Sequence, residues 1–443
     1  MKFKTIIQNI GANLLITILG LVGSIILARW LGPTQRGVFA AIILIPSILQ
    51  YVVNIGLSAA CVFFTALPAA NRTVIWSTVF TFGFLQSIVG IGIGWFATTF
   101  YLRDFHTDSL ILAHLHLLTI PFGLFGMYAQ HILLGASLYK ITNFLKCIVP
   151  AGYCVGIIIL KLLNTLDIQH LVYLQLSVQF LHLILSLVLL YKNILHSLAY
   201  QYDGGMAKQM LHYGFKVWLG DISQLANARI DQFLIGFFLN SRDLGIYTIA
   251  VSAANFLSIF ANAVEYVMLP VVASKTILHE KHQEIISYFN KYWLISILLH
   301  ICFGISVFFL IPFIFGVQYA DSVIICQILI VGSLFINAKN VLGGGIQGMG
   351  FPEVISIVEA IGMVISFIFS FLWIKNYGLI GVATAISLAY FSQFLGLIIL
   401  SQRKGLSYKK LLFTSKNEII DHLKWLKTFY QKPNNEYPTN GSS

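Results

Sequence analysis

The chain alternates long apolar runs with short polar breaks. The runs cover about 6–28, 38–63, 74–98, 112–134, 143–163, 170–191, 211–238, 244–269, 291–316, 322–347, 354–374 and 379–400. About 20 helical residues cross the hydrocarbon of a bilayer, so each run is a candidate span. The pattern predicts an all-α polytopic membrane protein of twelve transmembrane helices. In the fifth run Lys146 and Lys161 lie close enough to the ends to reach the interface.

The seventh run departs from the pattern by putting charge at bilayer depth. Lys216, Asp221, Arg229 and Asp231 fall within a single crossing. On a helix advancing about 100° per residue, Asp221, Gln224, Ala228 and Asp231 share one face, and Leu219, Ile222, Ala226, Ile230 and Phe233 share the other. Each charge at the bilayer centre costs roughly 2.5–3.5 kcal/mol on insertion scales. Either the charges pair internally and fix packing, or the helix lines a solvated path; the clustering favours the path.

Polar residues recur at helical spacing on other runs. The first carries Asn9, Asn13, Thr17 and Ser24, the second Gln50 and Asn54, the eighth Asn255, Asn262 and Glu265, and the tenth Asn337, Asn340 and Gln347. One such stripe merely joins helices, but several together suggest a polar cleft between two halves. Buried charge is concentrated in the second half, with Glu265, Lys339, Glu353 and Glu359 joining those of the seventh run. Arg229, Lys339 and Lys216 are the candidate contacts to an anionic group such as pyrophosphate, Arg229 foremost because guanidinium matches phosphate geometry. Asn54, Asn262 and Gln224 are candidate polar contacts beside them. Asp221, Asp231 and Glu265 are candidate sites for a coupling H⁺ or Na⁺.

Composition agrees with the membrane reading. Of 443 residues, 58% are hydrophobic and only 10% charged. The formal charge of +11 reflects Lys and Arg gathered in alternate breaks, and the positive-inside rule then puts both termini in the cytoplasm; it gives no reason to invoke nucleic acid. The basic start and the 24 uncharged residues from Thr5 to Ala28 read as a retained first span. The five cysteines stand singly in apolar runs, as buried thiols. Without gaps, Leu31, Gly37, Leu49 and Asn54 match Leu239, Gly245, Leu257 and Asn262, which divides the chain into a lobe 1–200 and a lobe 201–402 related by an axis along the membrane normal. The remainder, 403–443, reads as a basic cytoplasmic tail with an amphipathic helix.

Other motifs carry little. The glycines of GGGIQGMG from Gly343 lack a following Lys-Ser/Thr and suit close helix packing. His114 and His116 lie toward the outer surface without further ligands, so no metal is expected. The short loops hold no nucleophile elbow or paired carboxylates, which points away from an enzyme and from any cofactor.

The runs ILARWLGPTQRGVFAAIILI, NARIDQFLIGFFLNSRDLGIYTIAVSAANF and NYGLIGVATAISLAY resemble the polysaccharide (O-antigen and capsular repeat-unit) flippases of the multidrug/oligosaccharidyl-lipid/polysaccharide exporter superfamily. The resemblance extends over residues 5 to 400. It implies a two-lobe fold in the inner membrane that moves an undecaprenyl-pyrophosphate-linked oligosaccharide between leaflets by alternating access, coupled to H⁺ or Na⁺. It also implies membrane lipids, and polysaccharide polymerase or assembly proteins, as partners. The multidrug exporters of this superfamily often carry an acidic residue in the first span, absent here. The lipid II flippases add two spans and place arginines deep in the first two, features this sequence does not show. A cation-coupled exporter of small amphiphiles is the alternative; a membrane glycan polymerase is a third reading, disfavoured by the short outer loops.

Overall fold

The computed structural model describes residues 3–68, 70–103, 107–196, 199–407 and 411, with side chains from residue 11 onward. The side chain of Asn9 and nearly all of the expected amphipathic tail lie outside the described residues. Within them the chain forms helices α1 (Phe3–Asn54), α2 (Leu57–Ala66), α3 (Arg72–Tyr101), α4 (Thr107–His116), α5 (Thr119–Gly135), α6 (Tyr139–Leu162) and α7 (Ile168–Leu190). There follow α8 (Gly204–Phe238), α9 (Ser241–Ala254), α10 (Ser258–Ser274), α11 (Leu278–Phe315), α12 (Ser322–Gly348) and α13 (Pro352–Gln402).

Among the described residues nine helical segments are long and apolar enough to cross a membrane. Two of them carry a bend that makes two rods of one helix. In α1 the bend is Gly32, at φ 71°, followed by Pro33; in α13 it is Gly378, at φ 52°. Glycine occupies this left-handed region without a Cβ clash, and proline lacks the N–H that a restarted helix leaves unmatched anyway. The 35-residue α8 is too charged to count with the nine. With it, each of the twelve apolar runs falls on a helical rod.

The second rod breaks again at Ile55 (φ 49°) and Gly56 (φ 68°), and α2 continues it. Asn54 bridges the break: its Oδ1 accepts from Ser58 N at 3.2 Å and its Nδ2 donates to Ser58 Oγ at 2.9 Å. A large apolar core runs through α1 to α9 and the outer ends of α11 to α13, and a second joins α10 to α13 around Phe289, Val341, Val358 and Phe394. Large apolar side chains such as Phe96 and Phe313, 78% and 76% exposed, face outward as lipid contact requires. The run GGGIQGMG does pack closely: a Cβ on Gly344 would meet Glu265 of α10, and one on Gly348 would meet the Leu269 carbonyl.

Candidate functional site

Two cavities lie on either side of Arg229. The larger, about 1100 Å³, is walled by α2, α5 and the face of α8 carrying Tyr213, Val217, Asp221, Gln224 and Ala228. It reaches Ala66 and Leu67, at the face bearing the break between α2 and α3, and we call that face inner. The second, about 450 Å³, lies in the outer half between the second rod of α1, α4, α7, α8 and α9. Ser47, Ala228 and Arg229 line both.

The outer face is closed. Gly37 and Gly245, the matched glycines of the repeat, meet where α1 crosses α9, so closely that a Cβ on Gly37 would lie 1.6 Å from Ser241 O and one on Gly245 1.9 Å from Pro33 O. Beside this crossing Arg29 Nε donates to Ile314 O at 2.6 Å, satisfying a carbonyl at the end of α11. Tyr319 Oη and Gln318 Nε2 both donate to Ala28 O, at 3.2 and 3.3 Å. Tyr101 stacks on Phe233, ring centroids 5.4 Å apart, and closes the α3–α8 side.

The expected site residues divide. Arg229 is exposed to the cavities, and its Nη1 donates to the neutral carboxamide of Gln232 at 3.2 Å. Asp221 and Gln224 line the large cavity with it. Asn54 also lines that cavity, but its side chain is occupied in bridging the helix break. Asp231 is buried on another face of α8. Its Oδ2 accepts from Tyr247 Oη at 2.8 Å and its Oδ1 from Gln232 N at 2.7 Å. It borders a small cavity of about 170 Å³ whose wall also holds Asn255, Ser258, Ser333, Asn337 and Asn340.

Three candidate contacts, Lys339, Lys216 and Asn262, fall away from the cavities. Lys339, a candidate anion contact, is 2% exposed and bonded to Glu359 of α13, which also accepts from Asn227 Nδ2 at 2.8 Å; the ammonium is spent inside the fold. Lys216 and Asn262 are exposed on α8 and α10, away from both central cavity walls. Glu265 is half-buried, packed against Gly344 and near Lys339.

Two residues were misplaced by sequence reasoning. Arg36, which reads as a loop cation, lies one turn into the second rod of α1, lines the outer cavity and donates to Ser24 Oγ at 3.4 Å. It stands near the start of that rod, before the expected second span, so the expected lack of arginines deep in the first two spans is unaffected. His116, expected toward the outer surface, is 3% exposed in the wall of the same cavity. Its neighbour His114 stacks on Trp95 with ring centroids 3.7 Å apart. The signal for Arg36 was the Gly32-Pro33 pair, which bends a helix as readily as it ends one.

Bundled apolar helices around a polar cleft, closed at one face, define the fold of a multi-pass all-helical membrane protein. Solved structures share it. The chain superposes on the lipid II flippase MurJ in an inward closed conformation with a TM-score of 0.76, 18% identity, and coverage of 96% of this chain and 93% of that one. An inward-facing multidrug resistance MATE family transporter of the MOP superfamily gives 0.73, at 13% identity over 90% and 96% of the two chains. At the sequence level, residues 26–324 match the family described as polysaccharide biosynthesis protein, and the chain belongs to that family. It is 31% identical over 176 residues to the capsular polysaccharide biosynthesis protein CapF of Staphylococcus aureus, covering 39% of this chain and 43% of that protein. It is 22% identical over 386 residues to an uncharacterized membrane protein of Methanocaldococcus jannaschii, covering 80% and 75%.

Proposed function

We propose that the protein flips undecaprenyl-pyrophosphate-linked oligosaccharide repeat units across the inner membrane for surface polysaccharide synthesis. The observation that carries this reading is Arg229, a cleft-facing guanidinium bonded to a neutral partner on the wall common to two cavities. A diphosphate there gains charge-assisted, bidentate hydrogen bonds that the electrostatic attraction between Arg229 and the nearby Asp231 does not supply. Glycan fits the polar cavities, and the lipid tail stays in the bilayer beside them. Membership of a polysaccharide biosynthesis family and a fold shared with a lipid II flippase support the same reading.

Residues 1–200 and 201–402 act as two lobes that part alternately toward either leaflet. Both termini are cytoplasmic, so the large cavity opens to the cytoplasm, where the substrate is made. Asp231, in its pocket of side-chain oxygens, is the first candidate for H⁺ or Na⁺ coupling, with Asp221 and Glu265 behind it. The assembly partners are the polymerase and associated proteins that receive the flipped unit.

The test is a deletion strain complemented with wild type, Arg229→Lys or Arg229→Ala, followed by mass spectrometry of its lipid extract. Arg229→Ala is expected to accumulate a completed lipid-linked unit on the inner leaflet and to lose surface glycan at normal protein level, with Arg229→Lys intermediate. Normal glycan in Arg229→Ala would sink the assignment. A second reading, export of a cationic amphiphile, is favoured by Tyr51, Phe63, Tyr213 and Asp221 in the large cavity. It expects intact glycan in the deletion strain and increased drug sensitivity.

A further inference from the structure

The outer cavity contains polar atoms that the fold leaves unmatched. The buried His116 interacts with Gln175 through a side-chain hydrogen bond of poor geometry, which leaves a ring nitrogen unmatched. Gln175 Oε1 is buried and has no partner other than that contact, and Arg36 Nε is buried and unmatched. The three side chains come from α4, α7 and α1, and all line this one cavity. Buried polar atoms are nearly always matched in folded proteins, so the open positions on His116, Gln175 and Arg36, gathered on one cavity wall, call for a partner, either ordered water or a ligand that displaces it.

The chemistry of that wall narrows what the partner is. Gln50, Thr119 and Gln179 extend it with further uncharged donors and acceptors, and its lining holds no carboxylate among the described residues. Gln50 reaches the wall because α5 offers it Gly123, where a Cβ would stand 2.2 Å from Gln50 Nε2. A diphosphate accepts only, and is served by arginine. Imidazole and carboxamides, which can both donate and accept, suit groups that do the same in close array, as the adjacent hydroxyls of a sugar ring do. The cavity's size, about 450 Å³, falls within the ~300–1,000 Å³ range of small-molecule sites.

We propose that the outer cavity is a sugar-reading subsite, in which His116 and Gln175 exchange hydrogen bonds with hydroxyls of the sugar joined to the diphosphate while Arg229 holds the diphosphate at its mouth. The proposal rests on the flippase reading and adds where glycan specificity resides. Arg36 Nε contributes one more donor at the far wall.

Binding to the full chain in nanodiscs tests this with two kinds of probe, bare undecaprenyl diphosphate and the same lipid carrying one hexose or one N-acetylhexosamine. Wild type is expected to prefer a sugar-bearing probe by ~10-fold or more, since each unmade neutral hydrogen bond costs on the order of tenfold in affinity. His116→Phe and Gln175→Leu should each reduce that preference ~10-fold while binding the bare lipid as wild type does, which also reports an intact fold. His116→Gln, which keeps a donor and an acceptor, should retain part of the preference. Arg229→Ala should weaken both probes alike. Equal binding of both probes by wild type, or an unchanged preference in His116→Phe and Gln175→Leu, overturns the subsite and leaves the flippase reading standing. If wild type binds no probe, both fall together.

Discussion

Gly37→Ala should prevent the outer face from closing. The added Cβ would sit 1.6 Å from Ser241 O, about 1.7 Å short of the ~3.3 Å at which a carbon rests on a carbonyl oxygen. Its other near neighbours are Ser241 C at 2.6 Å and Gly245 N at 2.8 Å, so every obstacle is backbone. No rotamer relieves such a clash; α1 and α9 must separate. Overpacking of a tight site typically costs about 1–3 kcal/mol, and a rigid backbone contact belongs at the upper end. In the proposed alternating cycle this contact is made only while the outer face is closed, so that cost acts as a bias between conformations, and 3 kcal/mol corresponds to a ~150-fold change in their ratio.

The assay is thiol labelling from the outer side with a membrane-impermeant reagent. It starts from a background in which Cys61, Cys147, Cys154, Cys302 and Cys326 are replaced, with Thr248→Cys as the reporter because Thr248 lines the outer cavity beneath the crossing. Gly37→Ala should raise labelling and stop transport at normal protein level, and Gly245→Ala should do the same from the other helix. Gly92→Ala is the control, since a Cβ there meets nothing within 4 Å. Wild-type transport and unchanged labelling in Gly37→Ala would show that the crossing is not the outer closure.

Three further outcomes follow from the buried charges. Lys339→Met should destabilise the protein by about 3–5 kcal/mol by stranding Glu359, and Lys339→Met combined with Glu359→Gln should recover most of it; thermal unfolding of the purified protein measures both. If the double variant is stable but does not transport, Lys339 has a role beyond pairing. Asp231→Asn should leave the fold intact and abolish the response of transport to pH and Na⁺ gradients, read in proteoliposomes, whereas an unchanged response excludes Asp231 as the coupling group. Asp221→Asn and Glu265→Gln should shift that response less, since Asp221 stands in an open cavity and Glu265 at the edge of the Lys339 cluster.

What the sequence disclosed and what it withheld follow from the range of the interactions involved. The apolar runs specify spans because the penalty for polar groups in hydrocarbon is paid residue by residue. The cleft-facing stripe of α8 was legible in part for the same reason: Asp221, Gln224 and Ala228 line the large cavity as expected, while Asp231, expected on the same face, is buried and Arg229, expected at its edge, takes its place. Pairings between helices were not. Lys339 looked like Arg229 because nothing local says that Glu359 and Asn227 converge on it from α13 and α8. Asn54 and Asn262 match in the repeat, yet one bridges a helix break and the other lies exposed, because only the first is followed by Ile55 and Gly56 at positive φ.

Gly37 and Gly245 form the instructive pair. Two residues that occupy equivalent places in a repeat meet each other only near the axis relating the halves, and there each faces a copy of its own surroundings. A side chain at such a point meets the equivalent side chain or backbone head-on, so the closest crossing demands that both be glycine. Their contact therefore explains why this identity, among the few that align the halves, falls at the outer crossing. On the proposed two-lobe reading, the axis would pass through the helices that must separate if the cleft is to open outward. The same inner helices that carry the axis, α1 and α8–α9, carry Arg36, Arg229 and Asp231. Arg229 and Asp231 move together on α8, so a relative rotation of the halves about that crossing would change only the distances from Arg36 to that pair.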